Sequence, residues 1–154
     1  MAGKAAEICQ LSAIDKSGLH TFSHYILPNS DIQFQASKVN QLAIKSVNGQ
    51  RTLFKDNKAV IAVSLQKVIT EFLLYISRSI NRAKSETTRN SVVTVLIGHN
   101  AATFDTPVLL RNGGKDLAAK LQSMNIFFGD SLALMKALVK SSHPCLKSAD
   151  GSIS

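Results

Sequence analysis

Cysteine is scarce in this chain of 154 residues, with only Cys9 and Cys145, near opposite ends and in no Cys-x-x-Cys spacing. Neither a disulfide framework nor a zinc site is indicated. The opening "MAGKAAEICQ" has no apolar core of signal-peptide length, and the longest apolar runs are too short to cross a bilayer. A reduced compartment, nucleus or cytoplasm, is expected, with no membrane partner. Aromatic residues make up 6%, so an extended base-stacking platform is not evident. Internal repeats and low-complexity tracts are missing. Acids are outnumbered, 10 against 18 Lys and Arg, for a net charge of +8. That balance favours an anionic partner, nucleic acid or a membrane surface, although many basic domains bind neither.

What is present is globular: 45% hydrophobic and 18% charged residues, at a length that suits one domain over 1–154. "EICQLSAID" reads as a largely buried strand. "KSG" is a turn with Gly18 free to take positive φ, and "TFSHYILP" is a second strand ending at Pro28, which together suggest an antiparallel hairpin. His20 and His24 belong to it as ordinary turn or strand side chains. "SDIQFQASKVNQLAI" has a short helical pattern with Phe34, Val39 and Leu42 as inward residues. "SVNGQRTLFKDNKAV" is irregular, with a small hairpin at Asn48-Gly49.

From Val60 to Ile80 apolar residues recur at three- and four-residue steps, which predicts an amphipathic helix of several turns. Lys67, Arg78 and Arg82 lie mostly off its stripe, and "RAKSETTRN" follows as a polar loop. "SVVTVLIG" is near-continuously apolar and β-branched, as expected of a strand covered on both faces. A helix follows to about Asn112 and stops at Gly113-Gly114. "KDLAAKLQSMN" restarts helical spacing, and "IFFGDSL" is a short strand or turn. "SLALMKALVK" is a last helix with Leu132, Met135, Leu138 and Val139 as its apolar residues and Ser131 or Asp130 as its cap. The order predicts an α/β or α+β fold with a mixed sheet.

The stretch "LIGHNAATFDTPVLLRN" raises the chemical question. Pro107 suits a first helical turn, Thr106 or Asp105 is a natural N-cap, and an acid there is favoured by the helix dipole. Equally, the carboxyl end of a sheet strand is where α/β folds place sites, and a carboxylate there can bind a hard cation such as Mg²⁺. Two-ion phosphodiester cleavage needs several carboxylates, and Asp105 alone does not suffice.

"LIGHNAATFDTPVLL" resembles the second signature of the DEDD (DnaQ-like) 3′–5′ exonuclease superfamily. In that family a His-Asn turn leads into a helix carrying a metal-binding Asp. The form "HN…FDTPVLL" is most similar to the three-prime repair exonucleases and to the exonuclease-like C-terminal domain of promyelocytic leukaemia protein. "AEICQLSAID", "FSHYILP", "ASKVNQL", "FFGDSLALMKALVK" and "HPCLKSADGS" resemble that group in the right order, so the likeness covers nearly the whole chain.

The resemblance implies a ribonuclease H-like α/β fold, a mixed sheet flanked by helices. It also implies Asp105 as a metal ligand for Mg²⁺ or Mn²⁺, His99 and Asn100 shaping the nucleic-acid-binding turn, and single-stranded 3′ ends as partner. It exposes departures too. The family's Asp-x-Glu on the first, central strand has no counterpart in "MAGKAAEICQ", and Glu7 belongs to the next strand. His143 and Asp150 have the residue types of the third signature, but their spacing and Pro144 do not suit it. One of four metal-binding carboxylates is present. The expectation is a single, truncated exonuclease-like domain, inactive or nearly so, missing the strand that lies between those of "EICQLSA" and "VVTVLIG". The alternatives are a non-catalytic nuclear scaffold on the same fold and an unrelated basic α/β domain in which Asp105 is a helix cap.

Overall fold

The structure is a computed structural model and describes residues 6–88 and 92–142. It is mixed α/β, with three small sheets and four helices among those residues. Asp15 closes the first turn by accepting the Ser17 backbone N–H at 3.1 Å, and Gly18 takes φ 75°. The turn returns β1 (Gln10–Ile14) onto β2 (Thr21–Ile26) in antiparallel register, Ala13 opposite Phe22, so the expected hairpin forms. β6 (Ala62–Val63) adds to β2 in parallel. β1 is not largely buried, however. Its residues alternate between exposed and half-buried, and Ile14 is 63% exposed, because only one face meets the core.

The second sheet is a meander of β3 (Leu42–Val47), β4 (Gln50–Lys55) and β5 (Lys58–Ala59). Asn48 and Gly49 take φ 51° and 79° in the expected two-residue turn. Asp56 and Asn57 do the same at 51° and 62°, so a second hairpin stands where the sequence looked irregular. α1 (Phe34–Asn40) ends at Gln41, in the left-handed region at φ 57°. Leu42 is buried, but as the first residue of β3 and not on the helix, and Phe34 and Val39 are 73% and 86% exposed. Seven residues give too little helix to present a continuous inward stripe, and Phe34 lies beneath the Lys38 ammonium instead.

α2 (Leu65–Ser85) begins after Ser64, whose hydroxyl accepts the Lys67 backbone N–H at 3.3 Å. Val60 and Val63 therefore precede the helix, and its last turn takes residues 82–85 from the expected loop. Val68, Ile69, Phe72 and Ile76 form its buried stripe. That stripe packs on Phe22 and Ile26 of β2, on Val108, Leu109, Leu117 and Leu121 of α3 (Asp105–Ser123), and on Ile126 of β8 (Ile126–Asp130). Each such side chain contributes about 1.5–3 kcal/mol on burial. Gly114, at φ 67° and ψ −169°, breaks α3 where the glycine pair was expected to stop it, and helical turns resume beyond.

β7 (Thr94–Gly98) pairs with β8 in parallel, and α4 (Ser131–Ser142) follows. Here the expectation of a strand covered on both faces fails. Val93, Val95 and Ile97 are 69%, 44% and 67% exposed, and Phe127, opposite Val95, is 57% exposed. The described residues cover the other face only. Met135 and Leu138 of α4 are exposed as well, and Val139 is buried. No ladder joins β1 to β7 among the described residues, so each ends its own sheet. No helix there is long and apolar enough to cross a membrane.

Candidate functional site

Parallel pairing sets Gly98 beside Asp130, so the carboxyl ends of β7 and β8 stop together. The chain turns sharply after Gly98. A Cβ on Gly98 would lie 2.7 Å from that of Ala101, which is buried, so only glycine fits this close approach. Asn100 takes φ 57°, and its side-chain oxygen accepts the Thr103 hydroxyl at 3.2 Å.

Asp130 holds the turn from the other strand. Its carboxylate accepts the backbone N–H groups of Asn100 at 2.9 Å and Ala102 at 3.1 Å. It also caps α4 by accepting the Leu132 N–H at 2.9 Å. Desolvation pushes this carboxyl up, but the N–H groups of Ala102, Leu132, Ala133 and Asn100 outweigh it and hold the group below the usual aspartate value. His99 Nδ1 lies 3.2 Å from the Ser131 hydroxyl. The structure thus brings His99 and Asn100 together with Asp130 and Ser131. Capping by Asp130 was legible in the sequence. Its grip on a turn 30 residues away was not, because nothing local signals it.

Asp105 is the first residue of α3, at the end of the same turn, and is exposed. It is not the N-cap. Phe104 holds that position, no side-chain cap bond forms, and neither does Thr106 cap the helix. The Asp105 carboxylate makes no hydrogen bond or ion pair with the described residues. Capping therefore does not account for it, and a favourable contact with the helix dipole is what remains.

Glu7 is engaged elsewhere. Its carboxylate accepts the backbone N–H groups of Asn29 at 2.7 Å and Ser30 at 2.9 Å, clamping the turn after β2. Hydrogen bonding from Ser30, then from Asn29, holds it below the usual glutamate value. Cys9 is a free, half-buried thiol, pushed up by burial and by the nearby Glu7 charge. His143, Cys145 and Asp150 lie outside the described residues.

No three His, Cys, Asp or Glu side chains gather as a metal-binding group among the described residues. The turn offers one unengaged carboxylate, Asp105. The other acid, Asp130, already accepts from three backbone donors. That donor set does not fit a pair of divalent ions, which need several carboxylates with free lone pairs. Neither a protein-family model nor a curated protein matches this chain.

Proposed function

We propose that the chain forms the greater part of a DEDD-type 3′–5′ exonuclease-like domain of ribonuclease H-like fold, which holds single-stranded nucleic acid on its basic surface and has no metal-dependent turnover in this form. The observation that carries this reading is the pair of open sheet edges. β1 ends one sheet and β7 another, while both sheets lean on the same core of α2 and α3. In this reading one further strand lies between them and joins β2, β1, β7 and β8 into a single sheet. Laid parallel to β7, it would end beside the Gly98 turn and supply the acids that Asp105 lacks. Without such a strand each desolvated, unpaired backbone group on those edges costs roughly 1–3 kcal/mol. The charge of +8 supports a phosphate partner.

The test is degradation and binding of 5′-labelled single-stranded DNA and RNA with Mg²⁺ or Mn²⁺, wild type beside Asp105→Ala. Both proteins are expected to bind, with affinity falling steeply as salt rises, and neither to shorten the label. Shortening that disappears in Asp105→Ala would mean that other acids complete the site, against the reading. A second reading is favoured by the exposed apolar face of Val95, Ile97 and Phe127, which suits a non-catalytic scaffold. It requires that no salt-dependent nucleic-acid binding is found.

A further inference from the structure

A cleft of about 640 Å³ runs between β2 and α2 and shares no residue with the strand-end site. Two periodicities build it. On α2, Glu71, Tyr75, Arg78 and Arg82 follow at steps of four, three and four and form one stripe. On β2, Phe22 and His24 point to that stripe. The Phe22 ring stands edge-on to His24 at 4.9 Å and tilted to Tyr75 at 5.6 Å. The Tyr75 hydroxyl donates to the His20 carbonyl at 3.0 Å, which fixes the far wall.

The two ends of the cleft differ in charge. At one end Glu71 is satisfied, with His24 Nε2 at 3.1 Å and Lys67 Nζ at 3.9 Å. At the other, Arg82 Nη2 reaches Asp15 at 3.4 Å and the Ser79 hydroxyl at 2.9 Å, but its Nε is buried with no hydrogen-bond partner. Arg78, one turn earlier, makes no hydrogen bond or ion pair with the described residues. The Arg82 Nε is out of reach of a ligand in the cleft, and Asp15 pairs with the Arg82 guanidinium, so the excess positive charge at this end is that of Arg78, with the remaining outer face of Arg82 beside it. Guanidinium groups match phosphate oxygens in paired hydrogen bonds. Between the ends, Phe22, Tyr75 and Leu74 offer an apolar wall, and the volume falls among those of small-molecule sites, roughly 300–1,000 Å³.

We propose that this cleft binds a mononucleotide, its phosphate on Arg78 and Arg82 and its base along the Phe22 and Tyr75 wall. The direction is set by Arg78, since the Lys67 and His24 groups at the other end are already engaged by Glu71. The inference does not rest on the exonuclease reading.

The experiment is calorimetric titration of the full chain with adenosine 5′-monophosphate, adenosine alone and inorganic phosphate, on wild type, Arg78→Gln and Arg82→Gln. The monophosphate is expected to bind more tightly than either half. Arg78→Gln is expected to weaken it about tenfold or more while leaving the unfolding midpoint unchanged. Arg82→Gln should weaken it too, but it also removes the Asp15 pair, so Arg78→Gln is the deciding variant. Equal affinity in wild type and Arg78→Gln overturns the site, as does no binding up to about 1 mM. Inorganic phosphate binding as tightly as the monophosphate overturns the role of the wall, and adenosine binding as tightly overturns that of the arginines. Short oligonucleotides with and without a 5′-phosphate separate the two sources of the same chemistry, a free nucleotide or the end of a strand. Asp105→Ala leaves the monophosphate affinity unchanged, so failure here and failure of the exonuclease reading are distinguishable.

Discussion

Asp130 Oδ1 accepts the backbone N–H of Asn100 at 2.9 Å, across 30 residues of sequence, while Asn100 stands in the left-handed region at φ 57°. The strained turn after β7 is thus held from β8. Oδ1 serves the turn through Asn100 and the start of α4 through Leu132, and Oδ2 takes the second turn N–H, that of Ala102. A carboxylate therefore satisfies all three donors where an asparagine, with one acceptor oxygen, would leave Ala102 without its partner. The Asp130→Ala variant should leave the two sheets of the β1–β2 and β3–β4 hairpins intact and loosen this corner. Amide exchange at Asn100, Ala102 and Leu132 should speed up by about tenfold or more, with little change at Phe22 or Leu53. Uniform acceleration across the chain would contradict a local role.

Acid should act on the same class of contact. Glu7, Asp15 and Asp130 all titrate below their ordinary values in the folded chain. The unfolded state therefore binds more protons than the folded state as pH falls below the ordinary carboxylate values, 4.5 for Glu and 3.8 for Asp. Their contribution is fully present above that range and is lost as pH drops toward the lowered folded values. Urea midpoints should be flat from neutral pH to about pH 5 and decline below it. In the Glu7→Gln variant with Asp130→Asn the decline should be shallower. An unchanged slope would show that other groups set the acid limit.

Two helix starts offer a contrast. Ser64 caps α2 with a side-chain hydrogen bond, whereas Asp105 makes none at the start of α3. Ser64→Ala should cost about 1 kcal/mol. Asp105→Ala should cost about 0.5 kcal/mol or less, since a dipole contact at an exposed position is all that is lost. Chemical denaturation of the two variants checks this. A larger loss at Asp105 than at Ser64 would return Asp105 to a structural role and remove the reason to look for chemistry there.

The sequence made these elements legible where a local rule operates and failed where the rule needs a neighbour. Gly18, Asn48-Gly49 and Gly113-Gly114 announced turns and a break through their own backbone freedom. The α2 stripe of Val68, Phe72 and Ile76 announced itself by its period. The exposure of Val95 and Ile97 did not, since a β-branched run looks the same whether or not anything covers its second face. Phe34 and Val39 were misplaced for a related reason. Apolar spacing predicts a face, but a seven-residue helix reaches no core with it. At the strand ends, His99, Asn100 and Asp105 were readable as a motif. The service of Asp130 to two segments at once depends on parallel pairing, which no short stretch encodes.

Gly113 gives the sharpest packing test. A Cβ placed there would lie 2.1 Å from Leu117 Cδ2 and 2.7 Å from its Cβ, and Leu117 is 2% exposed. Leu117 belongs to the shared core, so it cannot swing into solvent to make room. The neighbouring Gly114 has open space around its Cβ position but sits at φ 67°. The two glycines are therefore required for different reasons, one for volume and one for backbone conformation. Gly113→Ala should destabilise the fold by about 1–3 kcal/mol through overpacking. Shrinking Leu117 in the same chain should recover part of that loss, because the two changes share one site. Gly114→Ala should destabilise as well, by strain of roughly 1–3 kcal/mol, because φ 67° with ψ −169° is a conformation open essentially to glycine alone, and Leu117→Ala should give it no such relief. A double-mutant cycle read by urea denaturation separates them. Relief of Gly114→Ala but not of Gly113→Ala by the Leu117 change would reverse the assignment.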